Sequence, residues 1–364
     1  MKLIRSRRGI AVFSVFAVAT ASALETDGNL KQTAKKLLSI LERRQDGGGG
    51  PDLTSPFEVA LADTHISAGA ESSKSPQLQA LRWLSESTSA RENLQDTSPI
   101  DADTDLAQRY ALAVLYFATG GDSWKECSQD VTSKCESSDG SGLQSSAHFL
   151  SGGPVCSWFG LTCTNDQKKD IVTWIDLSKN GLSGSIPNEL SLLSDNLELL
   201  WLSGNPELGG NLPQWIGKMK HLQSLSFFDS GISGTIPDSL YNLSKLSSLR
   251  AYGSKLEGTI STKIGQLKNM QWLWMHGCEF TGTKIPTELG SLKKLEALTM
   301  HGNAFGRDTL PSEVCDLRTS GTKKLEHLWT NCDANRSCDC CTKCFPRSGV
   351  PVDGSNAEIR AEEV

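Results

Sequence analysis

The stretch Leu200-Trp-Leu202-Ser-Gly-Asn205-Pro-Glu-Leu208-Gly-Gly210-Asn-Leu212-Pro213 decides the fold, because the chain repeats it. One copy earlier stands Ile175-Asp-Leu177-Ser-Lys-Asn180-Gly-Leu182-Ser-Gly184-Ser-Ile186-Pro187. One copy later stands Leu225-Ser-Phe227-Phe-Asp-Ser230-Gly-Ile232-Ser-Gly234-Thr-Ile236-Pro237. The paired apolar positions continue as Leu249/Ala251, Leu273/Met275 and Leu298/Met300, with a degenerate seventh copy at Leu325, Leu328 and Thr330. The asparagine place holds Asn180, Asn205, Ser230, Ser254, Cys278 and Asn303, spaced by 24 or 25 residues, and then Asp333.

Six copies in register at such a period define a coil of leucine-rich repeats. Each turn contributes one short parallel strand and a convex return. No turn buries its own leucines, so only the stack is stable. The expected fold is an α/β solenoid, a right-handed coil with a short parallel sheet on the concave face. A helical N-terminal cap and a cysteine-rich C-terminal cap should close its two ends. The asparagine side chain should bond backbone groups of the neighbouring turn that are otherwise unpaired. Serine, cysteine and aspartate are smaller or weaker substitutes there.

The rest of the chain divides by composition. Lys2, Arg5, Arg7 and Arg8 precede an uncharged apolar run, Gly9 to Thr20, and Ala21-Ser22-Ala23 has the form of a cleavage site. Residues 1–23 read as a secretory signal peptide, and the mature chain as secreted or displayed at the cell surface. The apolar run is shorter than the roughly 20 residues of a spanning helix, so a membrane anchor is the lesser reading. No other run is long enough to span. Residues 24–75 read as weakly ordered, with a short amphipathic helix around Leu30, Ala34, Leu37, Leu38 and Leu41 and a flexible linker at Gly47 to Pro51. Residues 76–170 form the N-terminal cap, with one helix over Leu78, Leu81, Trp83 and Leu84. Another runs from Asp103 to Phe117, with Tyr110, Leu112, Val114, Leu115 and Phe117 as core. Thr119-Gly120-Gly121 stops it. Repeats occupy 171–330, the cysteine-rich cap 331–345 and a disordered tail 346–364.

The 11 cysteines are an odd number. Cys278 sits at a ladder position inside the coil and reads as a structural free thiol. Ten remain for five bridges. Cys156 and Cys163 are the most local pair, and Cys127 with Cys135 is a second. Cys315, Cys332, Cys338, Cys340, Cys341 and Cys344 belong to the C-terminal cap in an open connectivity. Metal binding by Cys338, Cys340, Cys341 and Cys344 is the weaker alternative. Their spacing is irregular, and an oxidising compartment favours disulfides. Asn242-Leu-Ser244 and Asn335-Arg-Ser337 are glycosylation sequons, the first on a convex return.

Function should lie on the sheet face, where strand side chains alternate outward. The position between the paired leucines reads Asp176, Trp201, Ser226, Arg250, Trp274, Thr299 and Trp329. Two residues earlier stand Trp174, Ser224, Ser248 and Trp272, and two residues later Phe228, Tyr252, His276 and His301. Five of the nine tryptophans thus fall where solubility alone favours polar residues. Trp201, Phe228, Arg250, Tyr252, Trp272, Trp274, His276 and His301 are the candidate ligand-binding residues, since aromatics and arginine dominate binding hot spots. The bland rival is that these rings merely stack between repeats.

The Gly-x-Ile-Pro returns, together with the Cys156–Cys163 loop carrying Trp158 and Gly160, resemble the plant-type leucine-rich-repeat family. The C-terminal pattern Pro311-Ser-Glu-Val-Cys315, then Cys338-Asp-Cys340-Cys341-Thr-Lys-Cys344, resembles the secreted and receptor-like leucine-rich-repeat proteins of diatoms. So does Tyr110 to Tyr116 before Gly120-Gly121-Asp-Ser-Trp124. The resemblance covers about residues 76–345.

The expected role is recognition of an extracellular protein or peptide, with a carbohydrate-binding wall or matrix protein as the alternative. A purely structural matrix protein is a third reading. No catalytic constellation is present. His276 and His301 have no carboxylate or nucleophile at motif spacing, and no metalloprotease, hydrolase or phosphate-loop motif occurs. No enzyme activity, cofactor or metal is expected. A net charge of −6 speaks against nucleic acid as partner.

Overall fold

The computed structural model describes residues 28–45, 75–86, 99–127, 147–166, 169–282, 284–305, 310–319, 325–332 and 338–345. The leader at 1–23, the Gly47–Pro51 linker, Cys135, Asp333, Asn335 and the tail 346–364 lie outside them. The chain forms two compact units, Met1–Leu106 and Ala107–Val364.

In the first unit, helices Gly28–Gln45 and Pro76–Glu86 pack on one another. The buried face of the first carries Thr33, Ala34, Leu37 and Ile40, while Leu38, expected there, is half-buried. The i, i+3 and i+4 spacing explains the substitution, because Ile40 lies one turn from Leu37 on the same stripe. The second helix buries Leu78, Leu81 and Leu84 as expected, with Trp83 half-buried. A further helix, Pro99–Ala118, opens with proline at its first turn, where a missing N–H costs nothing. From Ala107 to Tyr116 it is buried on every side, so Tyr116 is core and Phe117 only half-buried. Thr119 Oγ1 bonds Leu115 O, and Gly120 turns the chain away at φ 69°.

The second unit is the solenoid. Among the described residues its main sheet has nine strands. An antiparallel pair, Leu161–Asp166 with Lys169–Asp176, starts it. Parallel strands follow at Leu199–Trp201, Ser224–Ser226, Ser248–Arg250, Trp272–Trp274, Ala297–Thr299, His327–Asn331 and Lys343–Phe345. The register aligns Ile175, Leu200, Leu225, Leu249, Leu273, Leu298 and Leu328, and all seven are buried. Five returns carry a 3-10 turn, opened by Pro187, Pro213, Pro237, Ser261 or Pro286, and the return after Ala297–Thr299 carries an α-helix, Ser312–Thr319. The glycine of the Gly-x-Ile-Pro return is needed for its backbone. Gly184 has φ 68°, and a Cβ there would lie 2.3 Å from Ala118 O.

The ladder works where asparagine is present. Asn205 Oδ1 accepts from Leu182 N at 3.0 Å, and its Nδ2 donates to Leu177 O at 3.0 Å and Leu202 O at 2.9 Å. Asn303 does the same toward Phe280 N and the Met275 and Met300 carbonyls. Asn180 reaches into the cap, bonding Glu126 N and O. Ser230 stays within its own turn, donating to Phe227 O and accepting from Ile232 N, while Ser254 donates to Ala251 O of its own turn and meets Cys278 Sγ of the next at 3.6 Å. Cys278 is a buried free thiol that donates to Ala251 O one turn back at 3.1 Å. Burial raises its pKa, which keeps it a thiol.

The two ends are closed differently. At the first, Gln108 bonds both Val172 N and Asp170 O of the opening strand. Tyr116, Trp124, Phe149 and Trp158 form one aromatic cluster behind it, ring to ring at 5.0–5.9 Å. The Cys156–Cys163 disulfide forms as expected. Cys127 is disulfide-bonded to a partner outside the described residues. At the other end the bridges are Cys315–Cys340, Cys332–Cys344 and Cys338–Cys341. The cap also adds the ninth strand, Lys343–Phe345, which the cysteine pattern did not announce.

Candidate binding surface

Alternation in the sheet turns three columns of side chains away from the leucine core. In the middle column, Trp201, Ser226, Arg250 and Trp274 stand in register on adjacent strands. Ser226 is small and leaves a gap. Arg250 fills it, with its guanidinium carbon 5.8 Å from the Trp201 ring and 5.0 Å from that of Trp274. This is a cation between two π faces. Burial lowers the arginine pKa. Trp201 is half-buried and its indole N–H donates to Ser224 Oγ at 2.8 Å.

A second column is a run of stacked rings. Phe228 lies 4.4 Å from Tyr252, Tyr252 4.5 Å from His276, His276 4.6 Å from His301, and His301 3.8 Å from Phe345. Asn331, two residues after Trp329, takes the next place in this column by register. However, it accepts from Gly302 N and donates to Asn303 O, so its side chain serves the backbone of the preceding turn. Phe345, from the disulfide-held strand, covers His301 in its place. His276 Nδ1 is 2.8 Å from Thr299 Oγ1. Burial pushes the His276 pKa down to about 3, with the neighbouring His301 adding to it. Burial, and then the charge of Lys343, push His301 down to about 4. Both imidazoles are neutral at physiological pH.

The third column and the strand entrances frame a shallow depression of about 230 Å³. Trp174, Trp201, Trp272 and Arg250 wall it, with Ser224, Ser248, Glu198 and Gln223 between them. Trp174, 42% exposed, is the exposed large hydrophobic residue among those described.

Exposure corrects the expectation that all these residues face solvent. Trp274, Trp329 and His301 are buried, at 5, 9 and 9% exposure. They do point to the sheet face, but Arg250, Tyr252, His276, Lys343 and Phe345 pack over them. Inter-repeat stacking therefore explains these three. Trp201, Phe228, Arg250, Tyr252, Trp272 and His276 remain half-exposed. On the same face Ser248 Oγ, Arg250 Nε, Trp274 Nε1 and His301 Nδ1 are buried and make no hydrogen bond. Such atoms cost about 1–3 kcal/mol each until a partner satisfies them.

The sulfurs of Cys338, Cys340 and Cys341 cluster, but all three are tied in disulfides and offer no thiolate to a metal. Among the described residues, no helix is long and apolar enough to cross a membrane.

The fold and its cysteine-rich end make this a leucine-rich-repeat solenoid. Residues 176–344 match the family described as leucine-rich repeat region. The likenesses beyond that family are to plant proteins. Over 51 residues the chain is 47% identical to a probable leucine-rich repeat receptor-like protein kinase of Arabidopsis thaliana, covering 14% of this chain and 5% of that protein. It is similar to the ectodomain of the Arabidopsis receptor kinase HAESA, solved with an N-terminally extended IDA peptide hormone. The identity is 29% and the TM-score 0.44, over 52% of this chain and 30% of that one. It is also similar to the BIR2 ectodomain of Arabidopsis thaliana, at 26% identity and a TM-score of 0.38, over 43% of this chain and 81% of that one. The chain thus spans a small fraction of the curated kinase and under a third of the HAESA ectodomain.

Proposed function

We propose that this chain is an extracellular recognition module that binds a protein or peptide through the concave face of its repeats. One observation carries the reading. A continuous aromatic and arginine surface is half-exposed there, and it holds buried donors without partners. A bound chain covers the Trp174, Trp201 and Trp272 rings and sets carbonyl or carboxylate oxygens against the half-exposed Arg250. The leader at 1–23 directs the protein to secretion or to the cell surface, in line with its likeness to secreted and receptor-like diatom proteins. Asn242, exposed on a convex return, and Asn335 are its glycan acceptors, and Cys127 pairs with Cys135. The face acts by binding rather than by catalysis.

The test is a crosslinking capture from the native extracellular fraction, followed by affinity measurement. Trp201→Ala with Trp272→Ala should weaken binding at least 30-fold, the scale of about 2 kcal/mol at a hot spot. Circular dichroism should remain unchanged. Full affinity in a folded double variant removes the surface from the function. Glycans retained on this face in place of peptides give the carbohydrate reading instead.

A further inference from the structure

The flank between the 3-10 turns and the strand entrances carries five lysines in two adjoining columns, at least one in each of four consecutive turns. One column holds His221, Lys245, Asn269 and Lys294 in consecutive turns. These side chains touch. Lys245 Nζ is 3.1 Å from His221 Nδ1, and Lys294 Nζ donates to Asn269 Oδ1 at 2.6 Å. Asn269 Nδ2 donates one turn back to Ser244 O at 2.7 Å. The adjoining column holds Lys220, Ser244, Lys268 and Lys293. Lys268 Nζ donates to Ser291 Oγ at 3.0 Å and Lys293 Nζ to Gly290 O at 2.8 Å. Lys220, Lys245, Lys268, Lys293 and Lys294 are all exposed.

Each bonded lysine here meets a partner other than a carboxylate. Among the described residues no ion pair ties these five lysines to a carboxylate: Asp238 pairs with Lys263 at 2.7 Å, while Glu288 and Glu296 accept from the neutral Thr287 and Gln271. This concentration of positive charge stands out in a chain of net charge −6.

We propose that this flank binds a linear anionic polysaccharide, sulfated or carboxylated, lying across successive turns. The cations repeat with the turns, about 4.8 Å apart at the sheet, so they form a line rather than a disc. A line fits a polymer with regularly placed charges. Lysines are point charges on flexible stems and match such a chain without the fixed geometry of arginine. A lipid surface fits less well, since the exposed large hydrophobic residue, Trp174, lies on the sheet and not here. Single-stranded nucleic acid calls for aromatic platforms, and these two columns hold no Trp, Tyr or Phe. The inference does not depend on the concave-face reading.

The experiment measures binding of the full chain to immobilised dextran sulfate, with uncharged dextran, duplex DNA and phosphatidylserine vesicles as parallel probes. Dextran sulfate should be bound and dextran not, with affinity falling steeply as salt rises. Lys245→Gln/Lys268→Gln/Lys294→Gln should weaken binding more than tenfold. Lys179→Gln/Lys255→Gln/Lys284→Gln removes the same charge from other surfaces and should change it less than twofold. Equal losses in the two triple variants overturn the proposal, as does absence of binding by the unmodified chain. Tighter binding to DNA or to the vesicles than to dextran sulfate overturns it as well.

Discussion

Asn205 and Ser230 occupy the same place in consecutive turns and do different work. The amide spans two turns and satisfies three backbone groups, whereas the hydroxyl stays within one turn. Asn205→Ala should therefore cost about 3 kcal/mol and Ser230→Ala about 1 kcal/mol, read as shifts of the urea midpoint at unchanged slope. The stacked histidines give a second test at this scale. Their folded pKa values, about 3 for His276 and about 4 for His301, lie below the ordinary 6.5. The folded state then binds fewer protons than the unfolded chain below pH 6.5. Stability is full above that pH and declines as pH falls toward 4 and 3. Urea unfolding at stepped pH should show the decline, and His301→Phe should reduce it while keeping a ring against Phe345. A midpoint that is flat from pH 7 to pH 4 refutes the assignment.

At the scale of elements, the last strand is held by cysteines more than by its own length. Lys343–Phe345 has three residues, and the Cys332–Cys344 bridge fixes it beside His327–Asn331. Removing that bridge with Cys332→Ser/Cys344→Ser should cost about 2–4 kcal/mol, seen in thermal unfolding. Amide exchange should rise first in residues 327–331, the newly bared sheet edge. This strand also marks where sequence reading ran short. Cysteine spacing identified a cap but carries no strand periodicity, so neither the strand nor Phe345 was foreseen. The opening pair at Leu161–Asp166 was missed for the same reason, since it lies beyond the first copy of the repeat. The helices at 28–45, 76–86 and 99–118 were legible from apolar spacing, apart from shifts such as Ile40 for Leu38 and Tyr116 for Phe117.

For the whole molecule, the period alone was enough to set the order of strands and the inward register of Ile175 through Leu328. It also named the outward residues. It could not say how far each is covered, because Trp274 is hidden by Arg250 and Tyr252 of the preceding turn and not by its own strand. Alternation yields direction, while exposure depends on the sizes of side chains in adjacent turns. In a stacked coil each turn supports only its neighbours. Deleting a single inner turn, residues 224–247, should thus leave a folded but weaker molecule, with a lower urea midpoint and a smaller slope. Loss of cooperative unfolding in that variant contradicts a nearest-neighbour stack. Phe345 gives this architecture a chemical sensitivity. It is the terminal rung of the ring column and is anchored next to Cys344. A reductant that opens the cap frees the last ring, then unsettles His301 and His276 beneath it. On the proposed function, the concave face and the redox state of its surroundings are in this way coupled, and a partner held by Tyr252 and His276 in an oxidising medium should be released in a reducing one.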